Sequence, residues 1–101
     1  VPTRELALQV ADHFSALLPR VDGLRVATLV GGMAVPKQRR MLSRKPAVIV
    51  ATPGRFWELQ THYSEAWLQR IGLVRFLVLD EADRMVAPGH FAELDAILDA
   101  V

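Results

Sequence analysis

Asp80, Glu81 and Asp83 set three carboxylates within four positions, directly behind the apolar run Phe76-Leu77-Val78-Leu79. A short apolar run with a Val and an aromatic reads as a strand buried on both faces, as in parallel sheets. Such a strand delivers Asp80 to its C-terminal edge, where open α/β sheets bind ligands. Three other segments carry groups suited to anions: Pro2-Thr3-Arg4, Gly31-Gly32 and Thr52-Pro53-Gly54-Arg55. Two of them run straight into predicted helices, whose free N–H groups and dipole favour negative charge. Paired glycines at a strand end let backbone approach a ligand closely. A carboxylate cluster beside anion sites repels anions unless a cation intervenes. A Mg²⁺-nucleotide at one end and a sugar-phosphate backbone at the other fit that pattern. Backbone amides read phosphates whatever the base, so binding of this kind is sequence-independent.

The elements that must position these residues follow from periodicity and punctuation. Pro2-Thr3-Arg4-Glu5-Leu6 opens a helix whose apolar stripe is Leu6, Val10, Phe14, Leu17 and Leu18. Pro19 ends it, and Asp22-Gly23 makes a turn. A strand is predicted over Leu24–Val30, closed by Gly31-Gly32. A helix over Met33–Lys45 follows, with Pro36 in its first turn and Lys37, Arg39, Arg40, Arg44 and Lys45 forming a solvated basic face. Pro46 precedes a second strand, Ala47–Ala51. Thr52 then reads as an N-cap and Pro53 as the first residue of a helix that turns Phe56 and Leu59 inward and ends near Thr61. The link from His62 to Leu73 is predicted to hold a short helix capped by Ser64, with Trp67, Leu68 and Ile71 inward. His62 has no partner at metal-ligand spacing and reads as a surface residue. Trp57 and Trp67 sit at helical spacing and read as core or rim rather than as stacking platforms. The last predicted strand is Arg75–Leu79. Arg84–Pro88 forms a short helical turn, and Gly89-His90, with His90 as N-terminal cap, leads into a final helix. Its stripe is Phe91, Leu94, Ile97, Leu98 and Val101. Strands that alternate with helices imply right-handed crossovers and a parallel sheet, with all strand C-termini on one edge.

Composition sets outer limits. At 101 residues the chain is one small domain or part of one. Its 51% hydrophobic and 23% charged residues are a globular balance. Its longest apolar runs fall far short of the ~20 residues that span a membrane, so no membrane partner is expected. Val1-Pro2-Thr3-Arg4 does not read as a secretory signal. With no cysteine, disulfides and thiolate metal sites are excluded. A net charge of +1 means that nucleic-acid binding must come from local geometry, not bulk charge. The absence of an initiator Met, and an end inside the last apolar stripe, lead us to expect an excerpt of a larger domain.

The motifs carry a family resemblance. Asp80-Glu81 matches the Walker B arrangement of nucleoside triphosphatases, in which the first acid holds Mg²⁺ and its neighbour handles the attacking water. Asp80-Glu81-Ala82-Asp83 spells motif II of the DEAD-box RNA helicases, and Arg84-Met85 continues it. Pro2-Thr3-Arg4-Glu5-Leu6-Ala7 resembles motif Ia of that family, Gly31-Gly32 its GG motif, and Thr52-Pro53-Gly54-Arg55 its motif Ib. Order and spacing agree across essentially the whole chain. Phe56-Trp57-Glu58-Leu59 and Gly89-His90-Phe91-Ala92-Glu93-Leu94 look like the nucleolar branch linked to large ribosomal subunit assembly. The chain departs from many members in lacking Leu-x-Asp after motif Ib and an Asp-Met-Gly-Phe-like run after motif II.

The resemblance implies an α/β, parallel-sheet P-loop NTPase (RecA-like) three-layer fold, truncated at both ends, with residues 1–101 as part of the first RecA-like domain. It implies an ATP-dependent RNA helicase or RNA–protein remodeller, with ATP and Mg²⁺ as cofactors. Asp80 would hold Mg²⁺ through water, Glu81 would position and activate the hydrolytic water, and Asp83 would couple hydrolysis to motif III or the second RecA-like domain. Pro2, Thr3, Arg4, Gly31, Gly32, Thr52, Pro53, Gly54 and Arg55 would line the RNA backbone path, with the helix at Pro53 helping to bend one strand. Implied partners are RNA, the second RecA-like domain and pre-ribosomal proteins; the implied place is intracellular, the nucleus or nucleolus for the ribosome-biogenesis branch and otherwise the cytoplasm. No G-x-x-x-x-G-K-[ST] loop, Q motif or motif III is present, so these residues alone are expected neither to hydrolyse ATP nor to unwind RNA, and their sheet to leave an aggregation-prone edge. A catalytically silent RNA-binding scaffold is the alternative class, which the intact Asp80-Glu81 pair argues against. A DNA helicase of the same superfamily is disfavoured by the RNA-family spelling of the motifs.

Overall fold

Thr3 starts the first helix by a local bond. It sits in extended backbone (φ −126°, ψ 154°) and its Oγ1 accepts from the Leu6 N–H at 3.2 Å, which caps α1 (Arg4–Leu17). The computed structural model describes residues 1–18, 23–86 and 91–101. After α1 come β1 (Val26–Leu29), α2 (Val35–Ser43), β2 (Val48–Ala51), α3 (Pro53–Thr61), a 3₁₀ helix (Leu68–Leu73), α4 (Ala82–Met85) and α5 (Phe91–Ala100). The strands β1 and β2 pair in parallel, in register from Val26 opposite Val48 to Leu29 opposite Ala51. The ladder runs one step further, where the Thr52 N–H donates to the Leu29 carbonyl at 3.0 Å.

Period-two alternation sorts the strand residues into two faces. Ala27 and Leu29, with Ile49 and Ala51, face a cluster built from Leu42 of α2, Phe56 and Leu59 of α3, Leu68 and Ile97 of α5. Val30 and Val50, with Val26 and Val48, face Ala7 and Ala11 of α1. The result is three layers, with α1 on one side of the sheet and α2, α3 and α5 on the other. Leu29, Leu42, Leu59 and Leu68 are fully buried, and each contributes about 1.5–3 kcal/mol through removal from water. The α/β class and the parallel sheet expected from the sequence are borne out.

Four expectations need correction. First, the α1 stripe is narrower than predicted. Ala7 and Ala11 are buried, whereas Phe14 and Leu17 are exposed. Four-residue strands span only about 13 Å, while the 14 residues of α1 run for about 21 Å, so the last helical turn overhangs the sheet. Second, Arg75–Leu79 is not a strand. The segment pairs with neither β1 nor β2, and Phe76 and Val78 are 82% and 78% exposed. A strand is defined by its neighbours, and here the described sheet has two strands. Beside β2, the Val1 nitrogen donates to the Ala51 carbonyl at 3.0 Å. Third, Ser64 does not cap a helix. It adopts φ 47°, and the helical turns that follow are 3₁₀, entered from Trp67. Fourth, several ends differ: β1 is Val26–Leu29, β2 begins at Val48, α2 runs Val35–Ser43 rather than Met33–Lys45, and the turn of helix expected from Arg84 begins at Ala82, whereas α3 ends at Thr61 as expected.

Other readings hold. Trp67, Leu68 and Ile71 do pack inward, and the Trp67 Nε1–H donates to the Pro46 carbonyl at 3.0 Å. Trp57 packs against the same cluster, and His62 is exposed. The α5 stripe holds only in part: Leu94 and Ile97 are buried, whereas Leu98 and Val101, at its end, are exposed. The expectations for Pro19, Asp22, Pro88, Gly89 and His90, and for the Phe91 side chain, lie outside the described residues. Among the described residues no helix is long and apolar enough to cross a membrane.

Candidate functional site

Parallel pairing puts the C-termini of β1 and β2 on one edge, and two contacts bring further segments there. The Val1 bond to Ala51 places the start of α1 beside the end of β2, and Asp80 acts on the same ammonium. The segments 2–4, 31–32 and 52–55 therefore gather on this edge, and Asp80 lies near enough for its charge to act on Val1.

Arg4 and Gly32 meet directly. A Cβ built on Gly32 would lie 2.2 Å from Arg4 Nη1 and 3.2 Å from its Cζ, and Gly32 sits at φ +81°. Glycine is thus required twice, for the left-handed backbone and for the guanidinium packed against it. Gly31 and Gly54 are exposed, with no atom within 4 Å of where a side chain would begin. Their backbone is open to a ligand. Thr52 occupies the N-cap position of α3 and Pro53 its first turn, as predicted, but the Thr52 hydroxyl makes no capping bond.

Arg55 turns inward. Its Nη1 donates to the Met33 carbonyl at 2.8 Å and to Gln38 Oε1 at 2.9 Å, and its Nε pairs with Glu58 at 2.9 Å. Gln38 is fully buried and donates from Nε2 to the Val30 carbonyl at 2.7 Å. The sequence reading passed over Gln38. Its signal was there: Val35, Gln38 and Leu42 share one helical face, so an amide interrupts the apolar stripe of α2. The basic face of α2 is partly engaged, since Arg39 pairs with Glu65 and lies 5.4 Å over the Tyr63 ring.

Asp80, Glu81 and Asp83 are all exposed. Glu81 adopts a left-handed conformation (φ 53°, ψ 49°) at the N-cap of α4, and its carboxylate pairs with Arg84 at 2.9 Å. A non-glycine residue there is strained by about 1–3 kcal/mol, which is typical of residues held for a function. Met85, fully buried, anchors the one-turn helix behind them. Among the described residues no three acidic or histidine side chains converge as a preformed metal cage. One exposed carboxylate with open surroundings suits Mg²⁺, which keeps several waters and is usually held by one or two carboxylates together with substrate phosphates.

Comparison with known proteins identifies what this edge belongs to. The family described as DEAD/DEAH box helicase matches residues 1–101. The chain is 54% identical over 100 residues to the ATP-dependent RNA helicase DDX24 of Homo sapiens, a match covering 97% of this chain and 11% of that protein. It is 51% identical over 98 residues to the DEAD-box ATP-dependent RNA helicase 13 of Arabidopsis thaliana, covering 97% of this chain and 12% of that one. A crystal structure of a hypothetical ATP-dependent RNA helicase from Sulfolobus tokodaii superposes with a TM-score of 0.85 at 32% identity, over 100% of this chain and 29% of the other. The chain thus spans about a tenth of the length of the curated relatives it matches. With its RecA-like α/β layers and its motifs on one sheet edge, the chain belongs to the DEAD/DEAH box helicase family.

Proposed function

We propose that the full-length protein carrying this chain is an ATP-dependent RNA helicase or RNA–protein remodeller, and that residues 1–101 are part of its first RecA-like domain. The observation that carries the reading is the shared edge: Arg4 packed on Gly32, and the open backbone of Gly31 and Gly54, with Asp80 near enough for its charge to act on Val1. Pro2, Thr3, Arg4, Gly31, Gly32, Thr52, Pro53, Gly54 and Arg55 form the part of that edge that takes a sugar-phosphate backbone, without regard to base. Asp80 is the residue that holds Mg²⁺, through its water shell. When bound, the cation neutralises phosphate charge and polarises the phosphoryl group. Glu81 accepts a proton from the attacking water. To do so its carboxylate leaves Arg84, and the exposed ion pair between them holds it only weakly. Asp83 couples hydrolysis to motif III or a second RecA-like domain, a role its exposure on α4 supports.

No phosphate-cradling G-x-x-x-x-G-K-[ST] loop lies within residues 1–101, so turnover is a property of the longer protein. The Phe56-Trp57-Glu58-Leu59 spelling supports pre-ribosomal RNA and its proteins as targets, in the nucleolus.

The test is ATP hydrolysis by the full-length protein, with and without single-stranded RNA, beside a Glu81→Gln variant. RNA-stimulated turnover that falls about 10²–10⁴-fold in Glu81→Gln, with nucleotide still bound, is the expected result. RNA binding without turnover in either protein would replace this reading by that of a silent scaffold.

A further inference from the structure

The structure assigns Gln38 and Arg55 a joint role that no motif reading gives them: they are positioning residues that clamp the Gly31-Gly32 loop from both ends so that its backbone stays presented to RNA. The inference rests on the RNA-backbone reading above. Gln38 is the one buried polar side chain among the described residues. Its amide is used from both sides. Nε2 donates to the carbonyl of Val30, the residue before the loop, at 2.7 Å, and Oε1 accepts from Arg55 Nη1 at 2.9 Å. That same Nη1 donates to the carbonyl of Met33, the residue after the loop, at 2.8 Å. Glu58, one turn along α3, holds the Arg55 Nε at 2.9 Å.

The two carbonyls that flank the glycines are therefore tied, through one amide and one guanidinium, to the middle of α2 and the first turn of α3. Paired glycines are the least restrained backbone a chain can have, and nothing packs where side chains would begin at Gly31. Without an external clamp the loop would sample many conformations, and RNA would have to select among them. The clamp also joins two of the phosphate-facing segments, 31–32 and 52–55, into one rigid unit. Arg55 can then act on RNA through the loop it holds. Its guanidinium is an apt group for this, because its planar fork reaches a carbonyl, an amide oxygen and a carboxylate at once, which lysine cannot do.

The experiment uses the full-length protein with Gln38→Ala and Arg55→Lys, single-stranded RNA as the probe, and two readouts. Hydrogen exchange reports the loop directly, and RNA-stimulated ATP hydrolysis separates the RNA concentration for half-maximal stimulation from kcat and from KM for ATP. Both variants are expected to speed exchange at Gly31, Gly32 and Met33, and to raise the half-maximal RNA concentration about tenfold, as expected when a buried partner of a charged group is lost. For Gln38→Ala, KM for ATP and kcat at saturating RNA should stay within about twofold, because the Asp80-Glu81 pair is untouched. Gln38→Glu keeps the acceptor for Arg55 but loses the donor to the Val30 carbonyl, so it should restore slow exchange at Met33 and not at Gly31, a split that a generic core defect would not show. Unchanged exchange, unchanged RNA dependence, or a proportional fall in every parameter would each overturn the assignment. If Gln38→Ala fails to fold, Gln38→Met, which keeps most of the volume and removes both hydrogen bonds, decides by the same readouts. Wild-type protein that does not bind RNA at all overturns the reading underneath, and is seen before any variant is made.

Discussion

Replacing Gly32 by alanine should weaken RNA binding by moving Arg4, not by unfolding the domain. The added methyl carbon would lie 2.2 Å from Arg4 Nη1. Ordinary contact needs about 3.4–3.8 Å, so the guanidinium must withdraw by more than about 1 Å. It can do so cheaply, since it is the far end of a flexible, exposed side chain. The backbone term is the strain of a side chain at φ +81°, about 1–2 kcal/mol. That is too little to unfold most domains. If Arg4 donates to an RNA phosphate, losing that charged hydrogen bond removes about 1.5–3 kcal/mol of binding, or about ten- to a hundredfold in Kd. The assay is fluorescence anisotropy of labelled single-stranded RNA with the full-length protein, as a double-mutant cycle with Arg4→Ala. Each single variant should weaken binding by a similar factor, and the double variant little further. Additive losses would show that Gly32 and Arg4 act independently, and would refute the packing argument. Gly31→Ala is the structural control, with open space around its Cβ, and should leave stability within about 0.5 kcal/mol.

Further predictions follow from the same geometry. Leu59→Ala removes a fully buried side chain from the centre of the larger cluster and should destabilise the domain by about 2–5 kcal/mol, read by chemical denaturation; a loss under 1 kcal/mol would contradict its placement. Trp67→Phe deletes the bond to the Pro46 carbonyl and should cost about 1 kcal/mol by the same measurement. RNA binding through backbone amides should be indifferent to base composition and weaken with salt, log K falling by about 0.7 per phosphate engaged for each unit of log salt; a strong base preference would exclude backbone readout. Phe76 to Leu79, exposed here with no strand alongside, should exchange amide hydrogens far more slowly in the full-length protein than in residues 1–101 alone; equal rates would show that the segment gains no ladder partner.

Much of this molecule was legible in the sequence because the determinants are local. Thr3 caps a helix through the Leu6 N–H three residues on. Pro53 starts a helix wherever φ must be near −65°. Ala27, Leu29, Val30 and Val50 sort by period two, whatever they pack against. The four motifs could be recognised as spelled, and parallel pairing of alternating strands and helices then gathers them on one edge without further information.

What the sequence could not supply depends on residues far apart along the chain. The Phe76–Leu79 run has the composition of a buried strand, yet burial belongs to the sheet and not to the run, so it stands exposed where no ladder neighbour is present. Arg55 spells part of an RNA-facing motif, but its partner carbonyl on Met33 is 22 residues away. Gln38 interrupts the apolar stripe of α2, but its partner Arg55 lies 17 residues on. Val1 finds Ala51 across 50 residues. Composition and spacing determine which groups are able to bond. Which of them do bond is decided by the packing of α2 and α3 against the sheet, because a hydrogen bond forms only within about 3 Å and only the folded layers bring such distant groups that close.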